Sequence, residues 1–255
     1  MTDVVIERAQ NPDYATVRID RPGSGNAMSP GVIAELGDAI DDLADSDGCR
    51  TIVITGADGT FSAGADVDVF ADRADDPDAV LEYLDAFTAL YERIEAASKP
   101  VVARVNGPAY GGGYELAMAC DVRFASTTAE LCPAELRMGI VPPFERLVLE
   151  LGDGLAREVC LTGGVLSAED VADTDLFARV VAPEELDAVI EEFARQVEAR
   201  SPNAVAQTKR AMVAHRSEAI GRSSAYRHAL DEQCVRHPDF AESVAAFLED
   251  RTPSY

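Results

Sequence analysis

The sequence contains very little lysine and few histidines. Lys99 and Lys209 are its only lysines, so arginine supplies the other positive charges, and Lys and Arg together number 22 against 46 acidic residues. The formal net charge of −24 at pH 7 argues against binding to nucleic acid or to anionic membranes, which attract basic surfaces. The three histidines do not pair at ligand spacing, which argues against a zinc site.

The chain also lacks long apolar runs and paired cysteines. No run of about 18 apolar residues occurs, so we expect no transmembrane helix. The first residues, MTDVVIERAQ, lack the basic and apolar parts of a signal peptide, so we expect no export signal. The five cysteines stand singly, without a Cys-x-x-Cys pair, which favours reduced thiols and a cytoplasmic location.

The acidic residues are spread along the chain rather than gathered in a tail, and lysine is depleted at the same time. This combination favours adaptation to high salt. At ~1 M salt the Debye length is about 3 Å, so dense carboxylates repel one another only weakly. An acidic protein from an ordinary habitat is the alternative.

Strand-like and helical segments alternate over the first 180 or so residues, which indicates a mixed α/β architecture. Two Ser-Pro pairs provide N-cap and first-turn signals for helices, Ser29-Pro30 and Ser201-Pro202. From about Pro183 onward the pattern is helical, and a further amphipathic helix is predicted at about Asp78–Ala97. The predicted strands are Val4–Arg8, Tyr14–Asp20, TIVITG, PVVARVNG and DVRFAS, and FSAGADVDVF is predicted to be a loop.

Two segments combine a buried strand with a following turn of small residues. TIVITG leads to Ser62-Ala63-Gly64-Ala65-Asp66, and PVVARVNG leads to Gly111-Gly112-Gly113. Small residues let backbone N–H groups approach a ligand, and N–H groups at a helix start have no partner within the helix. Two such groups aimed at one point would form an oxyanion hole. Tight turns with close packing are the alternative.

Two carboxylates stand near these turns among apolar neighbours. Glu115 lies three residues after Gly112 and is followed by Leu-Ala-Met-Ala, and Glu135 lies in CPAELRMGIVP. A poorly solvated carboxyl group suits a general acid or base. A capping role for Glu115 and an ordinary surface position for Glu135 are the alternatives. Together the two carboxylates and a polarised carbonyl would permit proton removal and water activation.

The chain resembles the crotonase superfamily, also called the enoyl-CoA hydratase/isomerase family. No single motif is decisive, but the order and spacing of the matching segments are together highly specific. These segments are IDRPGSGNAM, TIVITGADGTFSAGADV, KPVVARVNGPAYGGGYELAMACDVRFAS, AELRMGIVP, LTGGVLSAEDV, RSPNAVAQTK and FLEDRTPSY.

The resemblance implies an α/β fold, a crotonase-like spiral of ββα units. It implies that residues 1–200 form the spiral core with the acyl-CoA site, and that 201–255 form a helical region for assembly into trimers or hexamers. It further implies that the N–H groups of Ala65 and Gly112 hold a thioester oxygen. The other substrate-binding positions that it implies are Ala27, Ala63, Gly64, Asp66 and Gly111.

In hydratases of this family two glutamates act together, and Glu115 and Glu135 match them. The resemblance therefore implies an enoyl-CoA hydratase, in which one glutamate activates water for attack at C3 and Glu135 delivers a proton to C2. No metal or redox cofactor is implied, since CoA is part of the substrate. A Δ3-Δ2-enoyl-CoA isomerase or another acyl-CoA-transforming member is the alternative. A catalytically weak acyl-CoA-binding protein is disfavoured by the presence of both glutamates.

The sequence departs from the family at three places. Ala134 stands directly before the second glutamate, where the family often has proline. Asp68 follows Val67 where the family's first loop often has lysine, so the resemblance does not extend to a lysine contact with the CoA phosphates. The segment Val141 to Leu147, VPPFERL, is shorter than the usual glycine-rich stretch before Gln-Arg-Leu. There Phe144 is bulky enough to displace water from the pocket, if the loop keeps its usual place. We expect Glu145 to be a solvated surface acid, and a third acid at the site is the alternative.

Overall fold

The computed structural model describes residues 2–255, except for the side chains of residues 217–225. Nine strands form two sheets in the described chain. The strands are β1 Val4–Gln10, β2 Asp13–Ile19, β3 Thr51–Gly56, β4 Val101–Val105, β5 Ala109–Tyr110, β6 Val122–Ser126, β7 Glu130–Cys132, β8 Leu166–Ser167 and β9 Arg179–Val181.

Nine α-helices connect and cover these strands in the same described residues. The helices are α1 Pro30–Asp45, α2 Val67–Asp72, α3 Pro77–Ala96, α4 Gly112–Ala119, α5 Phe144–Leu151, α6 Asp153–Thr162, α7 Leu186–Glu198, α8 Pro202–Val235 and α9 Pro238–Leu248. Short 3-10 turns add Pro22–Ser24, Ala134–Met138 and Pro183–Glu185.

The larger sheet has the order β1-β2-β3-β4-β6-β9, and only β1 runs antiparallel to its neighbour. The smaller sheet has the order β5-β7-β8, with β5 and β7 parallel. Every residue of β3 is buried, as expected for a parallel strand that is covered on both faces. The mixed α/β architecture predicted from the sequence is therefore confirmed.

The two faces of the larger sheet pack against different helices. The main core lies on one face, where Leu36 and Ile40 of α1 and Tyr91 of α3 are buried among strand residues. The other face packs Val53 and Phe124 against Leu186 and Ile190 of α7, with Val102 in the same cluster. The sheet is thus the middle layer of the fold, and its strand ends remain free to carry loops.

The helix starts follow the local sequence. The Ser29 side chain accepts a hydrogen bond from the Val32 N–H, and the Ser201 side chain accepts one from the Ala204 N–H, so both predicted N-caps are confirmed. The segment FSAGADVDVF is a loop only in its first part, because α2 begins at Val67. The Asp66 side chain caps that helix by accepting from the Asp68 N–H. The loop prediction for this part was wrong, since the capping signal of Asp66 was overlooked.

The C-terminal helices share the main core, to which Val235, Phe240 and Val244 contribute. Lys209 of α8 is buried, and its Nζ donates to the carbonyl oxygens of Ile94 and Lys99 at 2.8 and 3.1 Å. It also pairs with Asp121 at 2.8 Å. Lys209, one of the two lysines in the sequence, therefore joins the end of α3 to α8. No helix in the described residues combines the length and apolar character needed to cross a bilayer.

Candidate active site

The loops that follow β3 and β4 meet at one edge of the larger sheet. These strands are parallel neighbours, with Ile52 paired to Val101, so their carboxyl ends lie side by side. The N–H groups of Phe61 and Ser62 both donate to the Pro108 carbonyl, at 3.0 and 3.1 Å, and the Tyr110 N–H donates to the Ser62 carbonyl at 2.9 Å. The two glycine-bearing segments recognised in the sequence are therefore joined into one structure.

Gly64 is required where these loops touch. Its φ is +92°, and a β-carbon there would lie 2.5 Å from the Tyr110 carbonyl oxygen and 2.9 Å from the Gly112 nitrogen. Only glycine combines this backbone conformation with such close approach. The absence of a side chain at Gly64 therefore allows Ala65 to lie in the loop directly beside the first turn of α4.

The N–H groups of Ala65 and Gly112 have no hydrogen-bond acceptor among the described residues. Gly112 is the first residue of α4, where backbone N–H groups lack partners within the helix and the dipole favours negative charge. Both residues line the same cavity. Two free donors at this place can bind a carbonyl oxygen on which negative charge develops.

Glu115 lies one turn inside α4 and is only 7% exposed. Its Oε2 is 3.1 Å from Nη1 of Arg227. It lines the cavity together with Gly112. The buried carboxylate is therefore held by a charged partner and still faces the space beside the two free N–H groups.

Glu135 belongs to the 3-10 turn Ala134–Met138 and is 9% exposed. Neither carboxylate oxygen has a hydrogen-bond partner among the described residues. Burial raises the pKa of Glu135 well above its usual range, and the nearby charge of Glu115 raises it further. A β-carbon on Gly111 would lie 3.7 Å from Glu135 Oε1. A buried carboxyl group with a raised pKa is thus placed beside the loop that carries the Gly112 N–H.

Glu145 is not the surface acid that the sequence suggested, because it is only 7% exposed. It lies in the first turn of α5, and its Oε1 is 3.2 Å from Nε of Arg227. The prediction for Glu145 was wrong for a reason that only folding reveals. A half-buried guanidinium from the distant helix α8 compensates its charge.

Phe144 also differs from expectation. Its ring packs beside the guanidinium of Arg157 on α6, 5.6 Å from the ring centroid, and Phe144 does not line the cavity. The expectation that it displaces water from the pocket was wrong. Pro142 and Pro143 are buried directly before α5, and neither has an N–H group to offer at the site.

The cavity has a volume of about 840 Å³. Of the predicted site residues, Ala63, Ala65, Gly111, Gly112, Glu115 and Glu135 line it. Ala27, Gly64 and Asp66 do not line it and instead support the loops. Arg21 donates to the Ala27 carbonyl at 2.6 Å and pairs with Asp66 at 3.0 Å, while the Gly64 carbonyl accepts from the Met28 N–H at 2.7 Å.

The sequence matches the enoyl-CoA hydratase/isomerase family over residues 10–255. The chain belongs to this family. It is 32% identical over 266 residues to a crotonyl-CoA hydratase of Syntrophomonas wolfei, covering 99% of this chain and 97% of the relative. It is 31% identical over 259 residues to a probable enoyl-CoA hydratase of Mycobacterium bovis, with the same coverage of 99% and 97%.

Solved structures of the family superpose closely on this fold. An enoyl-CoA hydratase/isomerase from Xanthobacter autotrophicus matches with a TM-score of 0.87 and 26% identity, covering 99% of both chains. The fold is therefore the crotonase fold, as the resemblance in the sequence implied.

Three further residues at the candidate site were not predicted from the sequence. They are Tyr91, Arg227 and Asp231. The Tyr91 hydroxyl donates to the Gly112 carbonyl at 2.8 Å and so fixes the first turn of α4. Asp231 accepts from the Val141 N–H at 3.1 Å and lines the cavity with Arg227. The four-residue spacing of Arg227 and Asp231 places both on one face of α8. That spacing was the available signal, but a polar helix gives no indication of which face is buried.

Proposed function

We propose that the protein is an enoyl-CoA hydratase that adds water across the 2,3 double bond of a 2-enoyl-CoA thioester. The observation that carries this proposal is that Glu115 and Glu135 line one cavity with the residues whose N–H groups are free, Ala65 and Gly112. Hydration needs a base for water, an acid for carbon and a site for the enolate oxygen. This arrangement offers all three within one cavity.

In the proposed reaction the thioester oxygen binds the N–H groups of Ala65 and Gly112. Glu115 takes a proton from water as the water oxygen bonds to C3, and the C2–C3 π electrons move toward the thioester to give an enolate. Glu135 then donates its proton to C2. Each such donor of an oxyanion hole contributes about 10²–10³-fold in related chemistries. The reaction is acid–base chemistry, and CoA enters as part of the substrate.

The charges of the two glutamates support this division of roles. Glu115 pairs with the Arg227 guanidinium, a positively charged partner that suits a carboxylate acting as the base. Burial raises the pKa of Glu135, which favours a protonated acid at neutral pH. Two carboxyl groups whose environments separate their protonation states can serve as base and acid in one turnover. The relative from Syntrophomonas wolfei, a crotonyl-CoA hydratase, supports a 2-enoyl-CoA as the substrate class.

Isomerisation of a 3-enoyl-CoA to the 2-enoyl form is the second candidate. The observation that favours it is the contrast between the partners of the two glutamates. Glu135 has no partner in the described residues, whereas Glu115 is held by Arg227. A single carboxyl group can carry a proton from C2 to C4 without activating water. Pro142 and Pro143 beside the site offer no N–H group to orient water, so a slow hydratase, or one for an unusual acyl group, is also compatible.

The product formed separates the two candidates. Crotonyl-CoA and a 3-enoyl-CoA are incubated separately with the protein in high salt, and the acyl-CoA products are followed. Formation of 3-hydroxybutyryl-CoA supports the hydratase. Conversion of the 3-enoyl-CoA to the 2-enoyl form, with no hydroxyacyl product from crotonyl-CoA or longer 2-enoyl-CoAs, would replace it by the isomerase.

A matched pair of variants sharpens this experiment. In a hydratase, Glu115→Gln and Glu135→Gln both lose turnover, because each carboxyl group has its own step. In an isomerase, Glu115→Gln keeps most of the activity and Glu135→Gln loses it. The variants differ from the parent by one amide each, so both sites keep their volume.

A further inference from the structure

Arg227 joins two buried carboxylates that come from different parts of the fold. Its Nη1 is 3.1 Å from Glu115 Oε2, and its Nε is 3.2 Å from Glu145 Oε1. The three side chains are 17%, 9% and 6% exposed for Arg227, Glu115 and Glu145. One guanidinium, from α8, is therefore shared between α4 and α5. Such a bridge fixes the direction of the Glu115 carboxylate, because buried charged groups depend strongly on their partners.

The carboxylate at position 145 gives the bridge its third member, since Glu145 is the second anion that Arg227 contacts. A neutral amide at that position would leave Arg227 with Glu115 as its partner within this trio. With a carboxylate there, the guanidinium divides its positive charge between two anions.

Further titratable and charged groups lie close to the Glu115 and Arg227 side chains. They are Tyr91 of α3, Tyr114 of α4, Glu135 of the 3-10 turn, Glu145 and Arg146 of α5, and Asp231 of α8. Most of the charged members of this set are acids. Arg227 and Arg146 thus supply the positive charge within this set of groups. Arg146 also has a partner of its own, since its guanidinium pairs with Glu95 at 2.7 Å.

We propose that Arg227 and Glu145 are positioning residues that together fix the direction of the Glu115 carboxylate and leave it able to accept a proton. The proposal rests on the role of Glu115 as the base in the proposed function. Arg227 supplies the positive charge that holds the Glu115 carboxylate in place. Glu145 competes for the same guanidinium, so that Arg227 does not bind Glu115 too tightly for proton transfer.

The two partners therefore have opposite effects on the base. Without the positive charge at 227, the Glu115 carboxylate stands among other acids, and we expect activity to fall at higher pH when the solution is acidified. Without the negative charge at 145, Arg227 is shared between Glu115 and Asp231 and binds Glu115 more tightly, so we expect activity to persist to lower pH but proton transfer to slow. An opposite charge within about 4–6 Å commonly moves the pH dependence of a carboxylate by one to three pH units.

The test is the pH dependence of kcat/KM for the acyl-CoA reaction that the parent protein catalyses, whose acidic limb reports the base of the free enzyme. We expect Arg227→Met to move that limb up by about one pH unit or more, and Glu145→Gln to move it down by about one unit, with kcat lowered in both. Arg227→Lys keeps the charge and should restore the limb toward its parental position. Its kcat should stay low, because a single ammonium group does not reproduce the two directed contacts that the guanidinium makes with Glu115 and Glu145.

Arg123→Met is the matched control for Arg227→Met. Arg123 is a buried arginine that pairs with Glu150 at 3.1 Å and does not line the cavity. We expect this variant to leave the acidic limb in place, which separates loss of a buried ion pair in general from loss of this one.

Acidic limbs that stay in place, or that move in the same direction in Arg227→Met and Glu145→Gln, would overturn the proposal. If Arg227→Met does not fold, the downward shift in Glu145→Gln, and a parental limb with lowered kcat in Arg227→Lys, still decide it. Full activity of Glu115→Gln would instead remove the base on which the proposed function depends. If Glu115→Gln is inactive but the Arg227 and Glu145 variants keep the parental acidic limb, the proposed function is retained and only the positioning roles are excluded.

Discussion

Gly64 lies so close to Gly112 that a β-carbon on Gly64 would be 2.9 Å from the Gly112 nitrogen. This approach joins the two loops that follow β3 and β4. It also sets the relative positions of the Ala65 and Gly112 N–H groups, which are proposed to bind the thioester oxygen. The proposed oxyanion hole thus depends on a residue that does not itself line the cavity.

Replacement of Gly64 by alanine should therefore abolish most of the activity. The new β-carbon would meet the Tyr110 carbonyl oxygen and the Gly112 nitrogen, so the loops must separate and the two N–H groups no longer converge. We expect kcat/KM to fall by about 10² or more, the typical effect of losing one oxyanion donor. Steady-state kinetics with the active acyl-CoA substrate measures this.

Gly59→Ala provides the control for Gly64→Ala. Gly59 also has a positive φ, +72°, but a β-carbon there meets nothing within 4 Å. It should lower the free energy of unfolding by about 1–2 kcal/mol through backbone strain and keep its kcat/KM. Equal loss of activity in both variants would show that strain, rather than the approach to Gly112, determines the effect.

Glu115→Gln and Glu135→Gln should each lower turnover on a 2-enoyl-CoA by about 10²–10⁴-fold, the usual contribution of general acid–base help. Both should keep the parental circular dichroism spectrum. Glu135→Gln should also stabilise the fold, because it replaces a buried carboxyl group whose pKa is raised by burial. Wild-type turnover in either variant would exclude that residue from the mechanism.

Asp231 should make the stability of the protein depend on pH. Burial raises its pKa from 3.8 to about 6. As the pH rises, the folded state therefore keeps its proton to a higher pH than the unfolded state does. The favourable contribution of Asp231 to the free energy of unfolding is complete below about pH 4 and is lost as the pH rises through about 6. A change of this size corresponds to at most about 3 kcal/mol.

Urea unfolding at constant salt between pH 4 and 7 tests this. The difference in unfolding free energy between the parent and Asp231→Asn should fall as the pH rises through this window. Asp42→Asn, on the exposed surface of α1, is the matched control and should show a flat difference. A flat difference for Asp231→Asn as well would contradict the prediction.

Folding and activity should require high salt, because the net charge is −24. Both lysines are drawn into the fold, Lys209 as a buried side chain and Lys99 as a half-buried one, so neither offsets the surface carboxylates as an exposed cation. Circular dichroism and activity would be followed during dialysis to low salt. Full activity at about 0.05 M salt, where repulsion is only weakly screened, would rule out adaptation to high salt.

The helices after Ser201 should mediate a trimer or hexamer. Met212 and Tyr226 of α8 are 50% and 67% exposed, and Ala204, Val205 and Leu230 were predicted to belong to the same apolar surface. Ile220 and Ala225, predicted with them, have side chains outside the described residues. Such apolar exposure is typical of surfaces that a partner covers.

Light scattering at micromolar concentration should give the mass of three or six chains. Met212→Glu and Tyr226→Glu should lower this mass, whereas Leu161→Glu, an exposed apolar position on α6, should not. A monomeric parent protein would contradict the prediction.

The sequence by itself indicated the family, the mixed α/β class, the helix starts at Ser29 and Ser201, and the candidate residues Glu115, Glu135, Ala65 and Gly112. The family rests on the order and spacing of segments along the chain, whereas the other predictions depend on local signals within a few residues. The strand and glycine patterns, the Ser-Pro helix starts and the spacing of Glu115 from Gly112 are such signals. The fold and the family that these signals indicated are confirmed.

Only the tertiary structure decided which acids are buried and what compensates them. Glu145 and Arg227 are 82 positions apart in the sequence but 3.2 Å apart in the fold, and neither has neighbours that distinguish it from a solvated residue. Phe144 faces Arg157 rather than the cavity for the same reason, since its partner comes from another helix. Burial of a charge is decided by long-range packing, because its desolvation and its counter-ion come from segments that the local sequence does not contain.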